Sequence, residues 1–275
     1  VCGGWWISAS YLTSLSSLFP WLPFQPTGLS AAYLSVVLLF LVTVVLTFAV
    51  PSEPLQLGVN MKWHQRPRHF FKADWSLLWK DAQARTSLCI TTLFWGVAAC
   101  MQLLVLDWAK NGLDLSLEQG AYLQGLSGLG VVIGAWMAGR TVRLEDHHSV
   151  LVCGFLMGAL LPLMWFIQDW VWSIPLILLM GVLGGLLVVP MNAMLQHRGK
   201  QVLTAGRSIA VQNFNENLSI LLMLSLYALI LQLQGSWVIL VALFSLMMTV
   251  VTACFMRWPA RPPIKPAPSA NDHPH

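Results

Sequence analysis

Charge is what this sequence lacks. Asp, Glu, Lys and Arg make up 9% of its 275 residues, against about 25% in a soluble globular domain. So small a charged fraction cannot cover the surface of a water-soluble protein of this length. That excludes an ordinary cytosolic enzyme, a nucleic-acid-binding domain and a disordered chain. Cysteine is scarce too: Cys2, Cys89, Cys100, Cys153 and Cys254 form no CxxC pair and are odd in number. Their spacing fits neither a disulfide framework nor a zinc site, and they read as small apolar fillers of helices. No G-x4-G-K-[ST] loop occurs, so the chain carries no phosphate-loop motor of its own. Residue 1 is Val, and no basic stretch precedes an early apolar one. The expectation is a start that is trimmed or missing, not a signal peptide.

What the sequence has is apolar surface. It is 57% hydrophobic, with 14 Trp and 20 Gly and a mean hydropathy of +0.68. Trp at interfaces and Gly at close helix contacts are features of polytopic membrane proteins. A bilayer core takes about 20 apolar helical residues to cross. Seven stretches qualify, at residues 31–50, 86–109, 120–139, 149–167, 171–192, 208–231 and 237–256. Residues 1–19 are shorter and Ser-rich, and fit the tail of a further helix.

The connections alternate in charge. Residues 51–85 hold Lys62, Arg66, Arg68, Lys72, Lys80 and Arg85. Residues 140–148 hold Arg140 and Arg143, residues 193–207 hold Arg198, Lys200 and Arg207, and the tail holds Arg257, Arg261 and Lys265. The loops between them hold Lys110 alone, a split of 14 to 1 among the 15 basic residues. The positive-inside rule places the basic loops and the C-terminus in the cytoplasm.

Six spans after a long basic loop match the second half of a twelve-helix transporter built of two six-helix halves. The expected organisation is therefore fourfold. Residues 1–50 end an N-terminal half whose remainder is missing, and 51–85 form a cytoplasmic basic linker. Residues 86–256 form a C-terminal six-helix bundle, and 257–275 form a Pro-rich disordered tail. The fold class is all-α, polytopic. A complete seven- or eight-helix protein is the structural alternative. Within the linker, Phe70, Phe71, Trp75, Leu78 and Trp79 share one side of an amphipathic helix expected over 70–84 on the cytoplasmic surface.

Polar residues inside the spans point to function. Glu216 is the one acidic residue well inside a span, in the run SIAVQNFNENLSILL. A charge at a helix centre costs about 2.5–3.5 kcal/mol on insertion scales. Gln212, Glu216 and Ser219 share one helix face, and Asn213 and Asn217 lie on the next. Glu216 is roughly 13 Å from the cytoplasmic end at about 1.5 Å per residue, near the bilayer midplane. Two readings fit this face: the polar wall of a substrate cavity, or amides that hydrogen-bond a neighbouring helix. Gln102, a lone amide in the 86–109 span, admits the same two readings. Asn192 and Gln196 end the fifth C-terminal span, as a cytoplasmic gate or as its cap. Gly130 and Gly134 form a GxxxG pair, and Gly181, Gly184 and Gly185 a second small stripe, for close packing or for sliding. His147 and His148 beside Glu145 and Asp146 read as a solvated turn rather than a metal cluster. His69 and Asp74 have the H-x4-D spacing of acyltransferases, without the phosphate motif that should follow.

Three segments carry a resemblance: LFWG at 93–96, GVLGGLLVVPMNAMLQHRGK at 181–200 and AGRSIAVQNFNENLSILLML at 205–224. Across residues 79–256 the chain resembles the C-terminal half of the bacterial lysophospholipid transporters of the major facilitator superfamily. The resemblance implies import of lysophospholipid from the outer to the inner leaflet of the bacterial inner membrane. There an acyl-carrier-protein-dependent acyltransferase/synthetase re-acylates it. No cofactor and no catalytic residue are implied. The family pattern has a basic residue after LFWG, near where this chain has Gln102, which removes a candidate cation from the cavity.

A lysolipid needs a polar cavity for its head and an apolar path for its single chain. Glu216, Gln212, Asn213, Asn217 and Gln102, bordered by Leu and Met, are the expected substrate contacts. Asn192 and Gln196 are the expected gate. Lysophosphatidylethanolamine is the expected substrate, because its ammonium suits a carboxylate. The alternatives are a carrier of another amphiphile, of the drug-exporter type, and an acyltransferase using His69 and Asp74.

Overall fold

A computed structural model describes residues 28–48, 74–143 and 149–257. Every apolar run expected within them is helical, and no strand occurs among the described residues. Two compact units divide the chain, Val1–Met61 and Lys62–His275. The first contributes α1 (Gly28–Phe48). Its Thr43 and Thr47 hydroxyls donate to carbonyls one turn back, each at 2.8 Å.

In the second unit, residues 74–80 are helical and include α2 (Ser76–Lys80). Then follow α3 (Ala82–Asn111), α4 (Leu117–Thr141), α5 (Leu151–Leu160) with a tight extension Leu161–Trp165, α6 (Trp170–Val202), α7 (Ala205–Gln232) and α8 (Trp237–Arg257). Five of these, α3, α4, α6, α7 and α8, are long and apolar enough to cross a membrane.

Local chemistry sets the ends. Asp81, in extended conformation, accepts from the Ala84 amide at 2.9 Å and opens α3. Ser116 and Gln119 cap α4 reciprocally, at 3.2 and 2.9 Å, so two orphan amides are satisfied at once. Asp169 accepts from Val171 at 3.1 Å to open α6.

Three boundaries differ from the sequence expectation. The amphipathic helix expected over 70–84 breaks at Asp81, because that residue leaves the helical conformation to cap α3. Leu78 is fully buried with Ala84, Leu88, Leu195, Leu203 and Val211, so the apolar side of α2 turns to the bundle. Phe70 and Phe71 lie outside the described residues. The 149–167 span is not one α-helix. Pro162 has no N–H to give the Gly158 carbonyl, the last turn tightens, and the freed carbonyl accepts instead from Ser245 of α8 at 2.8 Å. Finally, α6 runs ten residues beyond Asn192, through what reads as loop, to Val202.

The core is built around α3 and α6, whose apolar windows are 56% and 61% buried, against 22% for α4 and 17% for α7. α3 packs on α4, α6, α7 and α8, α4 packs mainly on α6, and α5 on α8. Phe94, Val97, Leu104, Trp108, Leu187 and Phe244 lie in the main cluster. Trp108 is fully buried and donates its indole N–H to the Met164 carbonyl at 3.0 Å.

Glycine permits the closest of these contacts. A Cβ on Gly130 or Gly134 of α4 would collide with the Leu178 or Val182 carbonyl of α6, and one on Gly181 or Gly185 with the Ser127 or Val131 carbonyl of α4. The two backbones touch along this seam. At Gly96 of α3 the space of a Cβ is taken instead by the Ser219 and Met223 side chains of α7.

Candidate functional site

The polar face of α7 meets α3 and α6. The buried positions of α7 are Ser208, Val211, Gln212, Asn215, Ser219 and Tyr227, a helical stripe that is mostly polar. The Gln212 amide nitrogen donates to Glu216 Oε1 at 2.8 Å and to Asn192 Oδ1 of α6 at 2.9 Å. The Thr91 hydroxyl of α3 donates to the Leu88 carbonyl of its own helix at 3.3 Å. Through Gln212, the half-buried Glu216 carboxylate of α7 is tied to α6 by neutral groups. Among the described residues no cation pairs with Glu216; the ion pairs are Arg198–Asp81 and Arg207–Asp74.

The residues expected at the site divide by position. Gln212 is 8% exposed and both hydrogens of its amide nitrogen are engaged, so it acts through Glu216. Asn213 and Asn217 are exposed, and the Asn217 amide donates to the Asn213 carbonyl at 2.8 Å. Asn192 is brought to Glu216 through Gln212. It caps nothing, because α6 continues to Val202, and the same holds for the exposed Gln196. Gln102 is exposed, with its carbonyl accepting from the Gln124 side chain. Gln102 and Gln196 are not part of the Glu216 cluster.

Sequence reasoning missed a set of bonds where residues 74–81 meet α6 and α7. Asp81 takes Arg198 by two bonds, at 3.4 and 2.5 Å, and Arg198 also donates to Gln201 at 2.5 Å. Burial raises the cost of the Asp81 charge, but the Arg198 guanidinium and the Ala84 and Gln83 amides outweigh it and hold its carboxyl below the usual 3.8. Asp74 takes Arg207, with one bond at 2.9 Å. Trp75 donates to Asn215 at 3.3 Å. These bonds fix residues 74–81 to the ends of α6 and α7. Asp74 is thus engaged by Arg207, and His69 lies outside the described residues, as do Cys2, residues 144–148 and the tail from 258. Cys89, Cys100, Cys153 and Cys254 are free thiols. Among the described residues no group of three or more His, Cys, Asp or Glu is placed to hold a metal ion.

Comparison with known proteins bears on this arrangement. The sequence model of the Major Facilitator Superfamily matches residues 4–224. The chain is 36% identical over 194 residues to a lysophospholipid transporter, LplT, of Pectobacterium carotovorum, covering 70% of this chain and 46% of that one. It is 36% identical over 187 residues to the lysophospholipid transporter of Shigella flexneri (68% and 47%). It is 33% identical over 211 residues to that of Photorhabdus laumondii (75% and 52%). The chain spans about half the length of the curated relatives it matches. No solved structure matches.

Proposed function

Because this chain belongs to the major facilitator superfamily, we propose that it is part of a carrier for lysophospholipids, in which Glu216 receives the head group. The superfamily is one of membrane carriers, in line with the expectation that the chain is not an enzyme. The names of its relatives support the substrate class. One observation carries the role of Glu216: a carboxylate inside an apolar bundle that the neutral Gln212 amide holds and no described cation neutralises. A half-buried carboxylate left so is a strong acceptor for a charged donor. The ammonium of lysophosphatidylethanolamine supplies one. The exposed Asn213 and Asn217 side chains on the neighbouring face suit the phosphate and glycerol oxygens. Around them Leu218, Leu221 and Leu222 are exposed and apolar, as an acyl chain requires.

In this reading the carrier sits in the bacterial inner membrane, multi-pass, with its C-terminus cytoplasmic, and works with a first half like that of its relatives. It delivers lysophospholipid to the cytoplasmic leaflet, where an acyl-acyl-carrier-protein synthetase/acyltransferase re-acylates it.

The test uses the 275-residue chain in membranes and a photoactivatable lysophosphatidylethanolamine. Unlabelled lysophosphatidylethanolamine is expected to displace the probe at lower concentration than lysophosphatidylglycerol, which has no amine. Glu216→Gln, which keeps volume and one acceptor, should erase that difference by weakening the amine lipid about tenfold or more, since a bond to a charged group is worth about 1.5–3 kcal/mol. Leu221→Gln, on the same helix, should leave the difference intact. Equal displacement by both lipids in the unaltered chain, or a Glu216→Gln protein that still discriminates, refutes the head-group site.

A further inference from the structure

We propose that Asn192 of α6 binds the phosphate of the lysolipid head group through its amide N–H groups, while Glu216 takes the ammonium. The inference rests on the head-group reading of Glu216 and names the residue that meets the other charge of the head. It follows from the direction of two hydrogen bonds. An ionised carboxylate only accepts, so the Gln212 side chain must turn its nitrogen to Glu216, at 2.8 Å. The second hydrogen of that nitrogen goes to Asn192, at 2.9 Å. Asn192 must therefore answer with its oxygen. The charge on Glu216 thus sets the orientation of both amides, and it turns the Asn192 nitrogen away from Gln212 with two hydrogens to give.

Among the described residues nothing takes those hydrogens. Asn192 is half-buried. The described side-chain atoms that are both sealed from solvent and without a partner belong to Trp79, Ser87 and Thr92, so the Asn192 nitrogen is open to a ligand. Glu216 Oε1 and Asn192 Oδ1 bond the same nitrogen, and are no farther apart than two hydrogen bonds laid end to end. In a phosphoethanolamine head, two carbons and one oxygen separate the ammonium nitrogen from the phosphorus, a span of the same order. An acceptor for the cation and a donor for the anion are therefore spaced as the two charges of one zwitterion. A bond from an amide to a phosphate oxygen is charge-assisted, and the phosphate has oxygens enough for Asn213 on the neighbouring face as well.

The test adds a third competitor to the displacement assay, a single-chain primary amine that has no phosphate, with the photoactivatable probe at trace concentration. Asn192→Asp keeps the shape and the acceptor for Gln212 but replaces the donor with a second oxygen. Asn192→Leu removes both. Each change is expected to raise the half-displacing concentrations of lysophosphatidylethanolamine and lysophosphatidylglycerol by a similar factor, about tenfold, because both lipids carry the phosphate. The phosphate-free amine should displace the probe at no higher concentration than from the unaltered chain, which also shows that the site is intact. If Asn192 serves only to hold Gln212 against Glu216, Asn192→Asp binds all three competitors as the unaltered chain does, and Asn192→Leu weakens the two amines alone. That pattern, or loss of all three competitors in both variants, overturns the proposal. Glu216→Gln in the same experiment separates the two ideas. If it still discriminates between the two lysolipids, the head-group site itself is wrong. If it loses discrimination while both Asn192 variants bind both lysolipids normally, the phosphate contact alone is wrong.

Discussion

At the scale of the residue, the ion pair at the start of α3 is the sharpest point of stability. Asp81 and Arg198 have side chains only 5% and 11% exposed, and removing one member of a buried pair costs about 3–5 kcal/mol because the other charge is stranded. Asp81→Asn should lose about that much while keeping the α3 cap, since Asn caps as well as Asp. Arg198→Met added to it should restore part of the loss, because no charge then remains unpaired. The pH dependence has a definite sign. Asp81 titrates below its usual 3.8 in the folded protein, so its contribution is complete above that value and is lost as pH falls through the lower folded value. Thermal unfolding in detergent should therefore show the unaltered chain and Asp81→Asn converging in acid. A gap that widens as the pH falls below 4 contradicts the assignment. Glu216 was legible in the sequence because a charge in an apolar run stands out. The Gln212–Asn192 bond was not, because a sequence does not say which amide of α6 faces α7. The partners of Asp81 and Asp74 were hidden for another reason: Arg198 and Arg207 read only as loop charge, whereas α6 continues through Val202 and α7 begins at Ala205.

At the scale of the element, the α4–α6 seam separates glycines that look alike in sequence. Gly128 and Gly134 lie on one helix, yet a Cβ on Gly128 meets nothing within 4 Å, whereas one on Gly134 meets the Val182 carbonyl. Gly134→Ala must force two backbones apart and should cost about 1–3 kcal/mol. Gly128→Ala meets open space and gains helix propensity of up to about 1 kcal/mol. Comparing the two by unfolding in detergent checks the seam; equal effects would refute it. The helices themselves were legible from apolar length, since each crossing needs its run. Their ends were less so. Asp81 opens α3 four residues ahead of the apolar run, and Pro162 breaks the 149–167 span because its missing N–H outweighs the apolar continuity on either side.

At the scale of the whole molecule, the distribution of basic residues, 14 of the 15 on alternate connections, predicts an orientation with the C-terminus cytoplasmic. With native cysteines removed, a reagent applied from outside is expected to label a Cys placed at Asn111 and to miss one at Ser149. The reverse pattern would overturn the orientation and, with it, the direction assigned to the carrier. The bond between Asp81 and Arg198 has a consequence for how the chain is made. The partners are 117 residues apart, and a ribosome adding about 5–20 residues per second delivers Arg198 roughly 6–23 s after Asp81. During that interval α3 must enter the membrane with its entrance carboxylate uncompensated. The first-made helix of the bundle is therefore locked only when the fourth arrives, and synthesis halted between them leaves an unlatched intermediate for quality-control proteases to find.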